Sequence, residues 1–364
     1  MRIGVLGGGQ LGRMMALAGY PLGLGMRFLD HAVDAPASQV AECITAEFDD
    51  RNALKRFSNG LDVITYEFEN VPASAAQFLA AQIPLFFPPP RALEIAQDRY
   101  AQKTFFQEIG VPAPVFRLVS TRAELESAIE VTGLPAILKT RRWGYDGKGQ
   151  FVLRETGDLD RAWEAMGRSP LVLESFVRFR REISLVSVRS VSGEIAFYPL
   201  TENHHREGIL RFSLAPAPGV STELQECAQS FAEKIFAALG YAGVLTLEMF
   251  ETDVGILANE MATRVHNSGH WTIEGAETSQ FENHLRAITG LPLGSAEAIG
   301  WCAMVNFIGS LPAPGEALAI PGAHLHVYGK RARPGRKLGH ATICTRSPSG
   351  LADSVERLRK LASC

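Results

Sequence analysis

The chain opens with Arg2-Ile3-Gly4-Val5-Leu6, continues through Gly7-Gly8-Gly9-Gln10-Leu11-Gly12, and then runs from Arg13 to Ala18. An aliphatic run, a glycine turn and a helix-compatible stretch in that order predict a strand feeding a helix, the first half of a βαβ unit. Such a unit commits the chain to a parallel sheet, because the crossover helix brings the next strand back in the same direction. Residues 26–29, ending at Asp30, and residues 61–66, ending in Glu67-Phe68-Glu69, supply further strands of that sheet. In sheets of this class, polar residues just past the strand ends face a ligand crevice. The run Phe86-Phe87-Pro88-Pro89-Pro90 can continue neither a helix nor a central strand, which places a boundary near residue 100.

At 364 residues the chain is long enough for two or three domains. After a helix over about 98–109 the texture turns to β, with strands expected at 135–139, 171–177, 182–188, 195–200, 243–250 and 255–260, and one helix over 222–239. Strands at 301–308, 323–328 and 340–344 suggest a small β-rich closing region. The expected division is 1–100, 101–295 and 296–364, α/β at the start and α+β thereafter. With 36 basic and 39 acidic residues, a net charge of −3 and 46% apolar residues, disorder and bulk electrostatic binding of nucleic acid are excluded. Five widely spaced cysteines make neither a disulfide framework nor a zinc ribbon, and no apolar run matches a signal peptide or membrane span. A cytoplasmic location is expected.

Five features carry chemistry. Gly7, Gly9 and Gly12 fit GxGxxG, with Asp30 at a spacing compatible with a dinucleotide site, although a glycine turn before a helix suits any phosphate. Lys139 ends an apolar strand and is followed by a loop with three glycines and Lys148, point charges and bare backbone donors suited to a polyphosphate. If residues 243–250 and 255–260 form a hairpin, Glu248 falls opposite Glu260 or diagonal to it. Two facing carboxylates call for compensation, and a divalent cation with oxygen ligands is the natural one. Asn259 would add an oxygen, although strand alternation points it away unless the strand bulges there. Finally, Arg264 sits in the donor-rich stretch 261–271 as a planar fork for a small oxyanion, and five cations crowd into 330–337 as a cap for an acidic small molecule.

In order along the chain, GGGQLGRM, TYEFENVP at 65–72, QDRYAQK at 97–103, GYDGKGQ at 144–150, YPLTENHH at 198–205, NEMATRVHNSGHWT at 259–272 and RPGRKLGH at 333–340 resemble the N5-carboxyaminoimidazole ribonucleotide synthetase family of ATP-grasp ligases. The resemblance implies an ATP-grasp fold with an N-terminal Rossmann-like pre-ATP-grasp domain and a small β-rich C-terminal domain. It further implies ATP, bicarbonate and 5-aminoimidazole ribonucleotide as small-molecule substrates, Mg2+ or Mn2+ as cofactor, and a homodimer with no nucleic-acid or membrane partner. An ATP pocket would comprise Arg99, Lys139, Gly144, Tyr145, Asp146, Gly147, Lys148, Gly149, Gln150, Glu174, Ser175, Phe176, Val177, Glu182, His205, Asn259 and Glu260, with Glu248 and Glu260 on the metal. Arg264 would orient bicarbonate, with Tyr145, Asp146, Lys148 and Glu69 beside it at the reacting centre. The ribonucleotide would meet Gly8, Gln10, Leu11, Glu69, Arg264, His266, Asn267, Ser268, Lys330, Arg336 and Lys337. Against this stand an NAD-dependent dehydrogenase, resting on the glycine turn and Asp30, and a nucleotide-binding module without turnover.

Overall fold

The computed structural model describes residues 1–83, 85–144 and 148–362. Strands Glu42–Thr45, Gly25–Asp30, Arg2–Leu6 and Val63–Tyr66 lie side by side in that order, all parallel, as the opening βαβ pattern requires. The strand at 42–45 is an addition to the expected set. Its residues Glu-Cys-Ile-Thr carry too little apolar content for pattern reading, and it sits at the sheet edge where one side needs no covering. Between the first two strands, the helix Gln10–Gly19 buries Leu11, Met14, Met15 and Ala16 against the sheet.

A second, four-stranded antiparallel sheet runs Phe116–Val119, Leu171–Ser175, Ala136–Thr140, Gln150–Leu153. The helices Arg122–Thr132 and Leu159–Met166 cover it with Leu125, Ala128, Leu159 and Ala162. A third sheet of nine strands is the frame of the molecule. Its order is Gly255–Ala262, Gly243–Thr252, Arg181–Arg189, Thr201–Arg206, Ile209–Ala215, Trp301–Ile308, Lys337–Thr345, Ala323–Val327, with Ile195–Phe197 also paired to Arg181–Arg189. The strands of the closing region are therefore not a sheet of their own. Residues 302–305 pair with 212–215, so the closing region extends the middle region's sheet and covers its own outer face with the helix Ser349–Leu361.

One face of the large sheet takes the helix Thr222–Leu239, capped by Ser221 and ended by Gly240 at φ +56, a conformation L side chains avoid. The other face packs with Ile3, Met14 and Phe28 of the first sheet and its helix, Leu285 of the helix Gln280–Thr289, and Trp271 into one shared core. That shared core holds the ends of the first sheet against the open face of the large one. Two ion pairs join separate parts of the chain near this junction, Glu69 with Arg264 and Arg99 with Glu260, the latter opposite Glu248. Among the described residues no helix is long and apolar enough to cross a membrane.

Candidate active site

The hairpin brings its two carboxylates into direct opposition. Thr252 pairs with Gly255 around a two-residue turn, tighter than expected, and Met249 pairs with Ala258, but the next pair is Glu248 with Glu260. Asn259 is the extra residue of a β-bulge, the device needed to free it from strand alternation. Its side-chain oxygen Oδ1 is buried with no hydrogen-bond partner. Burial and the facing Glu260 push the Glu248 carboxyl up to about 7. Burial also acts to raise Glu260, but Arg99, whose Nη1 donates to Glu260 Oε2 at 2.8 Å, outweighs it and holds that carboxyl below its usual range. The Glu260 side chain keeps 40% of its exposure, so a ligand can reach it.

Next to this pair lies a buried lysine cluster. Lys139 Nζ donates to Glu174 Oε2 at 2.9 Å, and Lys103 Nζ lies 3.2 Å from the same oxygen. Burial opposes the charge on Glu174, yet the two ammonium groups bring its carboxyl down to about 2. Lys103 also donates to the Asn259 carbonyl at 2.8 Å, pinning the bulge. Sequence reasoning missed Lys103, although its spacing of four from Arg99 on one helix puts both on the same face.

The glycine loop is closed at both ends. The Thr140 amide donates to the Gly149 carbonyl at 2.8 Å, and Arg99 Nη2 donates to the Gly144 carbonyl at 3.1 Å. Lys148, Gly149 and Gln150 are exposed at its far end. Tyr145, Asp146 and Gly147 lie outside the described residues. On the neighbouring strand, the Ser175 amide donates to the Val115 carbonyl and the Phe176 amide to that of Pro135, which places Val177 just past the strand end. Glu174 itself points Oε2 at the two lysines, while its Oε1 is buried without a partner. Glu182 Oε2 lies 3.1 Å from His205 Nδ1, which joins two residues expected in one pocket.

Glu69 Oε2 lies 3.1 Å from Arg264 Nη2, with both side chains largely buried. Arg264 Nη1 donates to the Val265 carbonyl, and the buried Arg264 Nε and Glu69 Oε1 are left without partners. Asn267 has both amide atoms buried and unpartnered. Unsatisfied buried groups of this kind are costly. His266 and Ser268 differ. Ser268 is fully buried and its hydroxyl is bonded to Ser184 and His266, while His266 Nε2 lies 3.2 Å from Glu248 Oε1. The side chains of these two face the carboxylate pair and its support.

The opening turn needs a correction. The Gly7 amide donates to the Leu29 carbonyl, the Gly8 amide to Asp30 Oδ2 at 2.6 Å, and the Gly9 amide to Glu67 Oε1 at 2.7 Å. A Cβ at Gly7 or Gly9 would stand 2.7 or 2.8 Å from Glu67 Oε1, so these glycines make room for a carboxylate of the chain itself. Gly8 is thereby spent, and Asp30 holds a turn instead of a ribose. The amides of Gln10 and Leu11, at the helix start, keep the orientation of anion donors; the Leu11 side chain is buried. Gln10 Oε1 accepts a hydrogen bond from Lys330, and Arg13 reaches the Val327 carbonyl, so the first turn and the basic turn of the closing region meet. Burial lowers the Lys330 ammonium to about 8. Lys337 lies close enough to Glu248 and His266 to act on both electrostatically, and Arg336 donates to the Arg331 carbonyl at 3.3 Å.

Three family models match in succession: the ribonucleotide synthetase preATP-grasp domain over 1–97, the ATP-grasp domain over 104–281, and the phosphoribosylaminoimidazole carboxylase C-terminal domain over 302–354. A Pseudomonas aeruginosa protein named N5-carboxyaminoimidazole ribonucleotide synthase is 50% identical over 343 residues, 94% of either chain. The chain belongs to the N5-carboxyaminoimidazole ribonucleotide synthase family. The Thermus thermophilus N5-carboxyaminoimidazole ribonucleotide synthetase structure superimposes with a TM-score of 0.96 at 55% identity, covering 100% of this chain and 99% of that one. The Aspergillus clavatus N5-carboxyaminoimidazole synthase, solved with ADP and 5-aminoimidazole ribonucleotide, gives 0.92 at 34% identity, covering 100% and 98%. All three segments of an ATP-grasp ligase of this family are thus present, with an ATP-type nucleotide as substrate. The dehydrogenase reading has no support left, because the glycine turn on which it rests is filled by Asp30 and Glu67.

Proposed function

We propose that this chain uses ATP and bicarbonate to carboxylate the exocyclic amine of 5-aminoimidazole ribonucleotide, giving N5-carboxyaminoimidazole ribonucleotide, ADP and phosphate in purine biosynthesis. One observation carries the site assignment: two opposed carboxylates, Glu248 and Glu260, with Asn259, whose buried side-chain oxygen has no partner, on the bulge next to Glu260. Hard oxygen donors at one point, with no third acidic, histidine or cysteine ligand among the described residues, fit Mg2+ bound together with nucleotide phosphates. Glu248, Glu260 and Asn259 would hold it. When bound, the ion neutralises charge on the terminal phosphates during transfer.

The residues of the chain supply the rest. Lys139 and Arg99 bring fixed positive charge to the phosphate side, and Glu182 with His205 lies where a ribose would be gripped. Arg264, with an unused buried Nε, holds bicarbonate by two oxygens, and Glu69 fixes the guanidinium in place. A bicarbonate oxygen attacks the terminal phosphorus, the bond to ADP breaks, and carboxyphosphate forms. That compound is labile, so its carboxyl group must meet the amine in a site closed to water. The basic turn at 330–337 serves as a lid, with Lys330, Arg336 and Lys337 answering the ribonucleotide's negative charge; the expected lid at 144–150 includes residues outside the described ones. The bond from the carboxyl carbon to the phosphate oxygen breaks, phosphate leaves, and the amine gives its proton to that phosphate as the new N–C bond forms.

This reading includes a cytoplasmic location and a homodimer, the latter checked by sedimentation equilibrium. ADP release measured with each substrate omitted in turn tests the function. Release that needs bicarbonate and rises with the ribonucleotide is expected. Nucleotide binding without turnover, or turnover indifferent to bicarbonate, would overturn it.

A further inference from the structure

The strand Gly255–Ala262 is the outermost of the nine-stranded sheet, so one of its sides has no neighbouring strand. An edge of that kind presents backbone N–H and C=O groups that need partners wherever they are buried. Here the helix Arg99–Glu108 and the residues just after it supply them. The Met261 amide donates to Gln102 Oε1 at 3.1 Å, and Gln102 Nε2 donates back to the Met261 carbonyl at 3.2 Å. Just before it, the Asn259 carbonyl accepts from Lys103, and the Ala258 amide donates to the Pro112 carbonyl at 2.7 Å. The Gln102 side chain thus stands in for the missing strand, one amide answering both backbone groups of one residue as the next strand would. Gln102 is 4% exposed, so water does not compete for either bond. At its start the same helix is capped by Asp98, which accepts two hydrogen bonds from Arg141 just past the strand that carries Lys139. The helix is therefore tied to the Lys139 strand at one end and, along its face, to the edge that carries Asn259 and Glu260.

We propose that Gln102 is a positioning residue: its amide fixes Met261, and through it the adjoining Glu260 and the Asn259 bulge, where the cation and the nucleotide phosphates are met. This rests on reading the hairpin pair as the cation site. The bulge is what creates the need. An extra residue breaks the ladder between Glu248 and Met249 and leaves the bulged strand able to bend. Gln102 holds that strand on one side of the bulge, and the bond from Ala258 to Pro112 holds it on the other. Lys103 cannot do this alone. An ammonium group has donors only and sets no register, whereas an amide with one donor and one acceptor engaged fits Met261 in a single alignment.

Gln102→Met, close to glutamine in length and lacking both hydrogen-bonding groups, is the variant to set against wild type in the full chain. With Mn2+ as the probe, followed by its electron paramagnetic resonance in the presence of ADP, it should bind Mn2+ roughly ten- to a hundredfold more weakly per folded molecule, the range usual for groups that orient metal ligands. In an Asn259→Ala background the same substitution should cost about threefold or less, because part of what Gln102 holds is already gone. Equal losses in the two backgrounds, or a lowered melting temperature with Mn2+ affinity intact, make Gln102 a structural contact and overturn the proposal. Should Gln102→Met fail to fold, amide hydrogen exchange of the wild-type chain decides. Coupling is reciprocal, so a bond that favours binding is itself favoured by binding. The Met261 amide should be protected despite its edge position and should exchange more slowly still with Mn2+ and ADP bound. Free exchange of that amide, or exchange indifferent to both ligands, overturns the proposal. A wild-type chain that takes up no Mn2+ with ADP overturns the cation site and the proposal with it, an outcome distinct from a loss confined to the variant.

Discussion

Two regions of this molecule gather carboxylates near a turn, and they end in opposite states. In the opening glycine turn, Asp30 and Glu67 accept the amides of Gly8 and Gly9, and Asp30 also takes the amide of Ala32, so both carboxylates are answered by the chain. In the hairpin, Glu248 and Glu260 face each other, Asn259 Oδ1 has no partner, and Arg99 answers only one of the two carboxylates. The first arrangement is complete without a ligand and the second is not. A motif match draws attention to the first, whereas unmet electrostatic demand points to the second. Glu174 stands between them, a buried carboxylate matched by two lysines that phosphates would also attract.

The largest expected effect is at the incomplete site. Glu260→Gln should lower turnover about a thousandfold, about 4 kcal/mol of barrier at about 1.36 kcal/mol per decade, because charge on the transferring phosphoryl group loses a counter-ion ligand. Its melting temperature without ligands should change little, since relief of the like-charge opposition with Glu248 is offset by loss of the Arg99 ion pair. A collapse of melting with turnover preserved would make the pair structural and erase the contrast between the regions.

Glu174→Gln tests the intermediate case, and its effect falls on stability. The folded carboxyl is held at about 2 against an ordinary 4.5, so its contribution is complete above pH 4.5 and fades as the pH falls toward 2. That shift corresponds to about 3 kcal/mol at pH 7. Chemical denaturation of wild type and variant across pH 2 to 7 should show the gap narrowing below pH 4.5. A gap independent of pH would mean that packing, not charge, is lost.

Arg264→Lys should slow ribonucleotide-stimulated ADP release roughly ten- to a thousandfold, about 1.4 to 4 kcal/mol, since a point charge cannot hold two bicarbonate oxygens. ATP affinity, measured by equilibrium binding, should change little. Normal turnover, or affinity lost in proportion to rate, would remove Arg264 from the bicarbonate position.

The smallest effect belongs to the complete region. Asp30→Asn keeps an acceptor for one amide and should cost about 1 kcal/mol of stability, with turnover per folded molecule unchanged. NAD titrated against the wild-type chain should give no saturable signal at concentrations where ATP saturates. Nicotinamide binding abolished by Asp30→Asn would restore a ligand role to the glycine turn.

Much of this was legible from residues alone, for reasons that can be located. The strands at 2–6 and 301–308 and the helix at 222–239 declare themselves by continuous or periodic apolar residues bounded by glycine or a capping serine, all local signals. The opposition of Glu248 and Glu260 was likewise accessible, because a hairpin register is set by a short turn in one stretch of chain. What escaped depended on partners far away in sequence. Nothing near Gly8 or Gly9 announces that their amides are taken by residues 22 and 58 positions on. Nothing near Ser268 announces that its hydroxyl meets that of Ser184, 84 positions before it. Lys103 shows its helix face but not the Glu174 and Asn259 atoms that hold it. Residue types and their spacing determined which charges this protein carries and the local elements that bear them. Only the tertiary structure decided which charges are answered within the chain and which are left for a ligand, because burial and long-range pairing set the energy of a charge and neither is a local property.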